Sequence, residues 1–228
     1  MKTTLHNATF AALVILVAAS CGIDNYEKPA SRFSGRVTHN GQPIGVSGID
    51  RQNFLQFWQD GYELRTEINC HLTQDGSYSA MLFDGDYKLV MNNNRGPWVN
   101  RPDTVAVAVN GNTVKNYEVT PYYMLSNIAY TVSGKTLSAT VTIAEITAGR
   151  PVETLALMIN KTAFVDNQSS GHLGDAGWTR QSDVAPGTRS LSLDLSGQTA
   201  KTLYARVGIK ISGIDQWQFD PQVYEIKN

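Results

Sequence analysis

Two polar loops each carry a tryptophan among side chains that bind sugar hydroxyls. The first loop runs from Asn92 to Arg101, and the second runs from His172 to Arg180. A sugar ring presents C–H bonds that stack on an aromatic ring, while its hydroxyls pair with amides, carboxylates and guanidinium groups. Long loops in compact domains are often functional. Six loop residues therefore form the predicted glycan-binding surface: Asn93, Arg95, Trp98, Asp175, Trp178 and Arg180.

A structural role is the alternative for both loop tryptophans. Tryptophan is usually well buried, so Trp98 and Trp178 could instead plug the end of a sandwich or a domain junction. Trp58 and Trp217 lie in segments with strand character, and we predict that both belong to cores.

Catalytic and metal-binding motifs are not evident in the sequence. His39, His71 and His172 are scattered, whereas metal sites favour closely spaced ligands, so we predict neither a metal nor a cofactor. Most candidate acids, such as Asp84 and Asp86, lie at turns, where Asp commonly bonds its own backbone. A glycosidase would need two carboxyls facing each other in one cleft, which remains a remote alternative.

The first twenty residues have the pattern of an export signal. Lys2 precedes an uncharged apolar run from Phe10 to Ala19, which is shorter than the roughly 20 residues of a membrane span. The sequence Val17-Ala-Ala-Ser-Cys21 resembles the lipobox of bacterial lipoproteins, in which cleavage precedes the cysteine and the thiol is acylated. The resemblance implies that Cys21 carries a lipid anchor, with an ordinary secretory signal as the alternative.

Composition limits the remaining classes. The 228 residues have a formal net charge of −1, which argues against a nucleic-acid partner because such proteins must neutralise many phosphates. The length of the chain suits one large or two small globular domains with a core of their own.

The pattern after the signal predicts an all-β chain of two tandem β-sandwiches. We assign residues 1–20 to the signal peptide, 21–31 to a lipidated tether, 32–120 to a transthyretin-like sandwich and 121–228 to an Ig-like sandwich, with the boundary at Pro121. Asn40-Gly41 predicts a tight hairpin. Alternating residues predict a strand over 62–72 and a strand over 114–119, whereas 166–189 is predicted to be a polar loop.

Several motifs carry a family resemblance. Gly35-Arg-Val37, Asn40-Gly-Gln-Pro-Ile44, Gln74-Asp-Gly-Ser-Tyr78 and the run from Leu82 to Val90 are similar to the carboxypeptidase-regulatory-like or transthyretin-like sandwich. The whole chain resembles an uncharacterised group of two-domain Bacteroidetes lipoproteins of polysaccharide-utilisation loci. Four segments carry this second resemblance: Cys21 to Tyr26, Phe57 to Tyr62, Tyr122 to Leu125, and Tyr204 to Gly208 with Trp217.

The second resemblance implies a non-catalytic protein attached to the outer membrane that assists glycan capture beside an uptake transporter. It implies an outward orientation, with the periplasmic face as the alternative, since only Asp24 and Glu27 follow the cysteine as acids. The competing hypothesis is a module that docks on the transporter or a neighbouring lipoprotein without binding glycan.

Overall fold

The structure, a computed structural model, describes residues 27–49, 53–61 and 63–227. The predicted signal peptide and Cys21 lie outside these ranges. Within them, no helix is long and apolar enough to cross a membrane.

The N-terminal sandwich is built from two antiparallel sheets to which two short parallel strands are added. One sheet has the order β2-β1-β5, with β8 and β9 pairing in parallel with β1, and the other has the order β4-β3-β6-β7. The strands are β1 Ser31–His39, β2 Gln42–Pro43, β3 Asn53–Trp58, β4 Ile68–His71, β5 Ser77–Leu82, β6 Gly85–Met91, β7 Val105–Val109, β8 Thr113–Val114 and β9 Tyr117–Glu118.

The hairpin predicted at Asn40-Gly41 is present. Both residues have positive φ, 50° and 76°, which suits Asn and Gly and places His39 opposite Gln42.

Two predicted strands of this sandwich are wrong in extent. Of the described residues 63–72, only Ile68–His71 forms a strand, because Arg65 bonds Asp60 in the preceding loop and Leu64 is exposed. The 114–119 segment is split into β8 and β9, since the Asn116 side chain accepts the backbone N–H of Arg36 (3.0 Å).

The C-terminal sandwich contains the longer strands. Its sheets have the orders β10-β11-β14 and β13-β12-β15-β16, with β17 pairing with β15 beside β16. Its elements are β10 Tyr123–Ser133, β11 Thr136–Glu145, β12 Val152–Asn160, a 3₁₀ helix Gly174–Gly177, β13 Trp178–Val184, β14 Gly187–Asp194, β15 Thr202–Ile211, β16 Gln218–Phe219 and β17 Tyr224–Lys227.

Strand β13 lies in the segment that the sequence predicted to be a loop. It is an edge strand whose residues 180–183 are polar and exposed, so it lacks the alternation of a half-buried strand. The prediction of two β-sandwiches is otherwise confirmed.

Each sandwich encloses its own apolar core, and a third, smaller cluster packs on the outer side of β12. Ala156 and Met158 belong to this cluster with Val165, Trp217 and Phe219, so β12 is buried on both faces. Cys70 and Trp217 are buried, as predicted, but Trp58 is only half-buried. Burial also raises the pKa of the Cys70 thiol to about 11.

One fully buried guanidinium joins the two sandwiches. Arg206 of β15 donates hydrogen bonds to four backbone carbonyls: those of Val46 (3.1 Å), Gln74, Val165 (3.2 Å) and Asp220 (2.6 Å). Its carbon Cζ lies 4.5 Å from the centre of the Phe219 ring. Because Val46 and Gln74 belong to the first sandwich, the Arg206 side chain forms hydrogen bonds with both domains.

Arg206 keeps its positive charge although it is fully buried. Desolvation lowers the pKa of Arg206 to about 10, opposed mainly by the nearby carboxylate of Asp220, so that the guanidinium remains protonated at neutral pH.

Two further contacts hold the same junction. The carboxylate of Asp166 accepts hydrogen bonds from Ser47 Oγ (2.6 Å) and from the backbone N–H of Ile49 (3.1 Å). The backbone N–H of Phe219 donates to the carbonyl of Gly45 (2.9 Å), so β16 pairs briefly with the first sandwich.

We expect Arg206→Met to destabilise the protein by about 3 kcal/mol or more, because four buried carbonyls lose their donor. Urea unfolding followed by circular dichroism measures the change. Arg189→Met is the matched control, since Arg189 bonds only the carbonyls of Pro186 and Thr188 in its own hairpin. Equal losses in the two variants would contradict the role of Arg206 at the junction.

Gly45→Ala tests how closely the domains approach. A Cβ at this position would lie 2.6 Å from the carbonyl oxygen of Phe219 and 2.8 Å from the guanidinium of Arg206. We expect a loss of about 1–3 kcal/mol in the free energy of unfolding. Gly197→Ala is the control because a Cβ there meets no atom within 4 Å, and a Gly45→Ala variant as stable as this control would refute the close approach.

Candidate functional site

Trp98 does not belong to a ligand surface. Only 3% of it is exposed, and it is part of the core of the first sandwich. Its indole lies against Gly96, where a Cβ would come within 2.1 Å of the ring, and its backbone bridges to Pro121. Asn93 and Arg95 are exposed on the same loop without the predicted aromatic platform. The predicted site is therefore wrong at Trp98, which closes the end of the core next to the domain boundary.

Trp178 is half-buried at the start of β13, and other side chains already stack on it. The His172 ring lies 4.6 Å from the indole centre at an interplanar angle of 16°, and the Arg180 guanidinium lies 3.8 Å from it. The indole also packs on the small third cluster. Its Nε1 is buried without a hydrogen-bond partner among the described residues, and Asp175 is exposed in the 3₁₀ helix. A sugar could stack here only by competing with His172 and Arg180.

A groove of about 670 Å³ opens where the two sandwiches meet, and we call it the junction groove. Its walls come from the β1–β2 hairpin, the first half of β10 and the segment before β17. The lining residues are Gln42, Pro43, 124–130 and 220–224. Strand β10 is the edge of its sheet and bulges between Ser126 and Ala129, where Asn127 has a φ of 49°. The bulge interrupts the ladder beside the groove.

Two tyrosines and a carboxylate form the centre of the junction groove. The rings of Tyr130 and Tyr224 stack with their centres 5.0 Å apart and their planes 9° apart, and both are half-buried. The Tyr130 hydroxyl donates to Asp220 Oδ2 (2.8 Å) and accepts the backbone N–H of Val207 (3.0 Å). The other carboxylate oxygen of Asp220 accepts the backbone N–H of Gln222 (2.9 Å).

Burial changes the acidity of both polar groups in this centre. Desolvation raises the pKa of Asp220 above its ordinary value, although hydrogen bonds from Gln222 and Tyr130 and the charge of Arg206 oppose the rise. Desolvation and the adjacent Asp220 carboxylate raise the pKa of Tyr130, so its hydroxyl remains a donor at neutral pH. The centre therefore presents fixed aromatic faces beside an oriented carboxyl group.

A second groove, of about 740 Å³, lies beside Trp58 at the far end of the first sandwich. Its other lining residues include Asp60, Asp86 and Lys88. Asp60 accepts hydrogen bonds from Lys88 Nζ (2.5 Å) and from Arg65, and these bonds lower its pKa. Asp60 is thus held ionised, which is the opposite of what the proton donor of a glycosidase requires.

The described side chains of the junction groove do not include the pair of acids that a glycosidase uses. Asp220 is the one carboxylate among the described residues that line the junction groove, whereas glycoside hydrolysis needs a pair. Over the described ranges of the chain, no group of three or more His, Cys, Asp or Glu residues could hold a metal ion.

Sequence reasoning missed the residues of the junction groove. Tyr130 and Asp220 are 90 positions apart, and each lies in a segment that reads as a strand or its flank. A tyrosine followed by alternating apolar residues is an ordinary core pattern, so only the pairing of the elements reveals the cluster.

Three solved structures superpose on nearly the whole chain. A DUF3823 family protein from Parabacteroides merdae ATCC 43184 is 39% identical, with a TM-score of 0.79 over 88% of this chain and 100% of its own. One from Bacteroides ovatus ATCC 8483 is 26% identical, with a TM-score of 0.77 over 87% and 99%. A candidate carbohydrate binding protein from Bacteroides uniformis ATCC 8492 is 19% identical, with a TM-score of 0.68 over 88% and 100%, and shares the fold.

Family comparison divides the chain into two matched parts. Residues 31–120 match the N-terminal domain described as "Protein of unknown function (DUF3823)", and residues 123–223 match "Domain of unknown function (DUF3823_C)". No curated protein matches the sequence. The resemblance to a two-domain Bacteroidetes family is thereby confirmed, and the chain belongs to the DUF3823 family.

Proposed function

We propose that this protein is a non-catalytic, lipid-anchored outer-membrane protein that captures glycans beside a polysaccharide-uptake transporter. The observation that carries the proposal is the stacked pair of Tyr130 and Tyr224 next to the buried carboxylate of Asp220 in the junction groove.

The groove offers the two kinds of contact that a sugar needs. Each half-buried tyrosine ring provides an apolar surface for the C–H face of a pyranose, and the ring is already held in place by its stacked neighbour. A carboxylate has about four lone-pair sites, of which Tyr130 and Gln222 each use one, so Asp220 retains capacity for sugar hydroxyls. The amides of Gln42, Asn127 and Gln222 line the same groove.

The position and charge of the groove favour a neutral ligand. Binding sites form preferentially at domain interfaces, and both sandwiches contribute walls here. The described lining residues include a single ionisable carboxylate and no lysine or arginine. A neutral oligosaccharide fits this lining better than a strongly charged one. The Bacteroides uniformis protein of this fold is described as a candidate carbohydrate binding protein, which supports a sugar ligand.

The absence of catalysis belongs to the proposal. The junction groove offers one acid, whereas glycoside hydrolysis needs two in one cleft. Asp60 and Asp86 both line the Trp58 groove, where Lys88 and Arg65 hold Asp60 ionised and so unsuited to be the proton donor.

Attachment to the membrane rests on the lipobox-like sequence that ends at Cys21. Acylation of this cysteine would tether the two sandwiches to the outer membrane, because several acyl chains on one residue anchor durably. An outward orientation is part of the proposal.

We expect Tyr224→Ala to weaken glycan binding about fivefold, since loss of one stacked ring removes on the order of 1 kcal/mol. Affinity electrophoresis against a panel of neutral polysaccharides measures the retardation. Tyr224→Phe retains the ring and serves as the positive control, whereas Trp58→Ala removes an aromatic outside the groove.

Three results separate the hypotheses for the groove. Retardation lost in Tyr224→Ala and kept in Trp58→Ala supports the junction groove. The reverse pattern would move glycan binding to the Trp58 groove. A wild-type protein that no glycan retards, but that co-purifies with a transporter, would favour the docking module.

We expect metabolic labelling with a fatty-acid analogue to mark the full-length protein, and Cys21→Ala to abolish both the label and its recovery in the membrane fraction. Cys70→Ala is the matched control because that thiol is buried in the first core. An unlabelled wild-type protein would rule out the anchor.

A further inference from the structure

One end of the first sandwich lies far from the junction, and we call it the free pole. Strand β1 begins there at Ser31 and ends toward the junction at His39, which at about 3.3 Å per residue separates the two ends by roughly 26 Å. Asp84 connects two segments at the free pole. Its carboxylate accepts hydrogen bonds from the Ser31 hydroxyl (2.5 Å) and from the backbone N–H of Gly111 (2.9 Å).

Exposed apolar side chains concentrate at the free pole. Nine large hydrophobic residues are exposed in the described part of the chain, and five of them lie at this end. The five, with their exposed fractions, are Leu64 (84%), Ile68 (41%), Met81 (54%), Phe83 (48%) and Val114 (76%). Scattered exposed hydrophobics are normal, but a concentration at one end indicates an interaction surface.

Strand register places two of these side chains on strands that flank the first half of β1. Met81 lies opposite Arg32 on β1, and Val114 lies beside Ser34, two residues further along the same strand. The thiol of Cys70 reaches the carbonyl of Ser79 (3.7 Å), which places the Ile68 end of β4 toward Met81. Phe83 follows Met81 at the turn before β6.

The free pole carries charged residues of both signs. Lys88 and Arg65 both bind Asp60, and Arg32 donates to Ser79 Oγ (3.1 Å). Trp58 is half-buried at this end, with its Nε1 donating to Gln56 Oε1 (3.3 Å). Tryptophan together with Phe, Leu and paired basic residues is the composition that favours the interface between lipid headgroups and acyl chains.

The chain itself indicates what covers this surface. Residues 1–26 lie outside the described ranges, and the described chain enters the fold at the free pole through Ser31. Nine residues lie between Cys21 and Ser31, and even fully extended the chain from one to the other spans at most about 35 Å. An acyl group on Cys21 would therefore attach the molecule to the bilayer from this pole, and not from the second sandwich.

We propose that the free pole is a lipid-facing surface, with Leu64 and Phe83 at the level of the headgroups and the second sandwich pointing away from the membrane. The inference rests on the proposed anchor at Cys21 and adds an orientation to it. It also places the junction groove away from the bilayer, where a soluble glycan has access.

The test uses the full-length acylated protein in vesicles of phosphatidylethanolamine and phosphatidylglycerol. Leu64→Cys and Phe83→Cys carry an environment-sensitive fluorophore at the pole, and Val132→Cys carries it at the far end of β10 as the matched control. Cys70 does not compete for the label because it is buried and its pKa is raised. All three substitutions are at exposed positions, so folding is expected to persist.

Spin-labelled lipid in the vesicles is expected to quench the probes at positions 64 and 83 severalfold more than the probe at 132. Equal quenching at the three positions in vesicle-bound protein would overturn the orientation while leaving the anchor intact. A blue shift at 64 and 83 that spin-labelled lipid does not quench would assign the pole to protein contacts and also overturn it. Protein that carries no acyl group and does not float with the vesicles would refute the anchor and the orientation together.

Discussion

The buried guanidinium of Arg206 is the constraint on which the arrangement of this molecule depends. A cation removed from water must have its donors satisfied, and here the acceptors are carbonyls from four separate segments of both sandwiches. Few relative positions of the domains bring those carbonyls around one side chain. The close approach at Gly45 and the carboxylate of Asp166 complete the same junction, so the two domains are joined by directed polar contacts in addition to apolar packing.

The hydrogen bonds of Arg206 also position the residues of the junction groove. The backbone carbonyl of Asp220 accepts from Arg206, while its carboxylate accepts from Tyr130 in the opposite sheet. One residue thus connects the domain junction to the aromatic centre of the groove. Because Tyr130 also receives the N–H of Val207, next to Arg206, the tyrosine ring and the guanidinium are positioned by the same strand. A rigid junction of this kind lowers the conformational cost of ordering a binding site.

Local sequence patterns correctly predicted those structural features that depend mainly on residues close together in the chain. Asn40-Gly41 makes the expected hairpin because both residues tolerate positive φ. The alternation of apolar and polar residues around Cys70 predicted its burial, and Cys70 is buried. Edge strand β13 escaped prediction because solvent covers most of its side chains, which leaves no apolar period to detect. Leu64 was wrongly assigned to a strand because apolar and polar residues alternate around it. This alternation does not show that Arg65 bonds Asp60 in a loop.

The sequence by itself determined the class of the protein: two β-sandwiches, a family membership carried by motifs spread over the chain, and a charge balance unsuited to nucleic acid. Only the tertiary structure decided which aromatic residues face solvent. Trp98 and Trp178 were both predicted to lie in polar loops, yet Trp98 closes a core and Trp178 begins β13, covered by His172 and Arg180. Tyr130 and Tyr224 stack in a groove instead. The physical reason is that exposure depends on contacts between segments far apart in the chain, such as the 90 residues between Tyr130 and Asp220, and no local pattern encodes them.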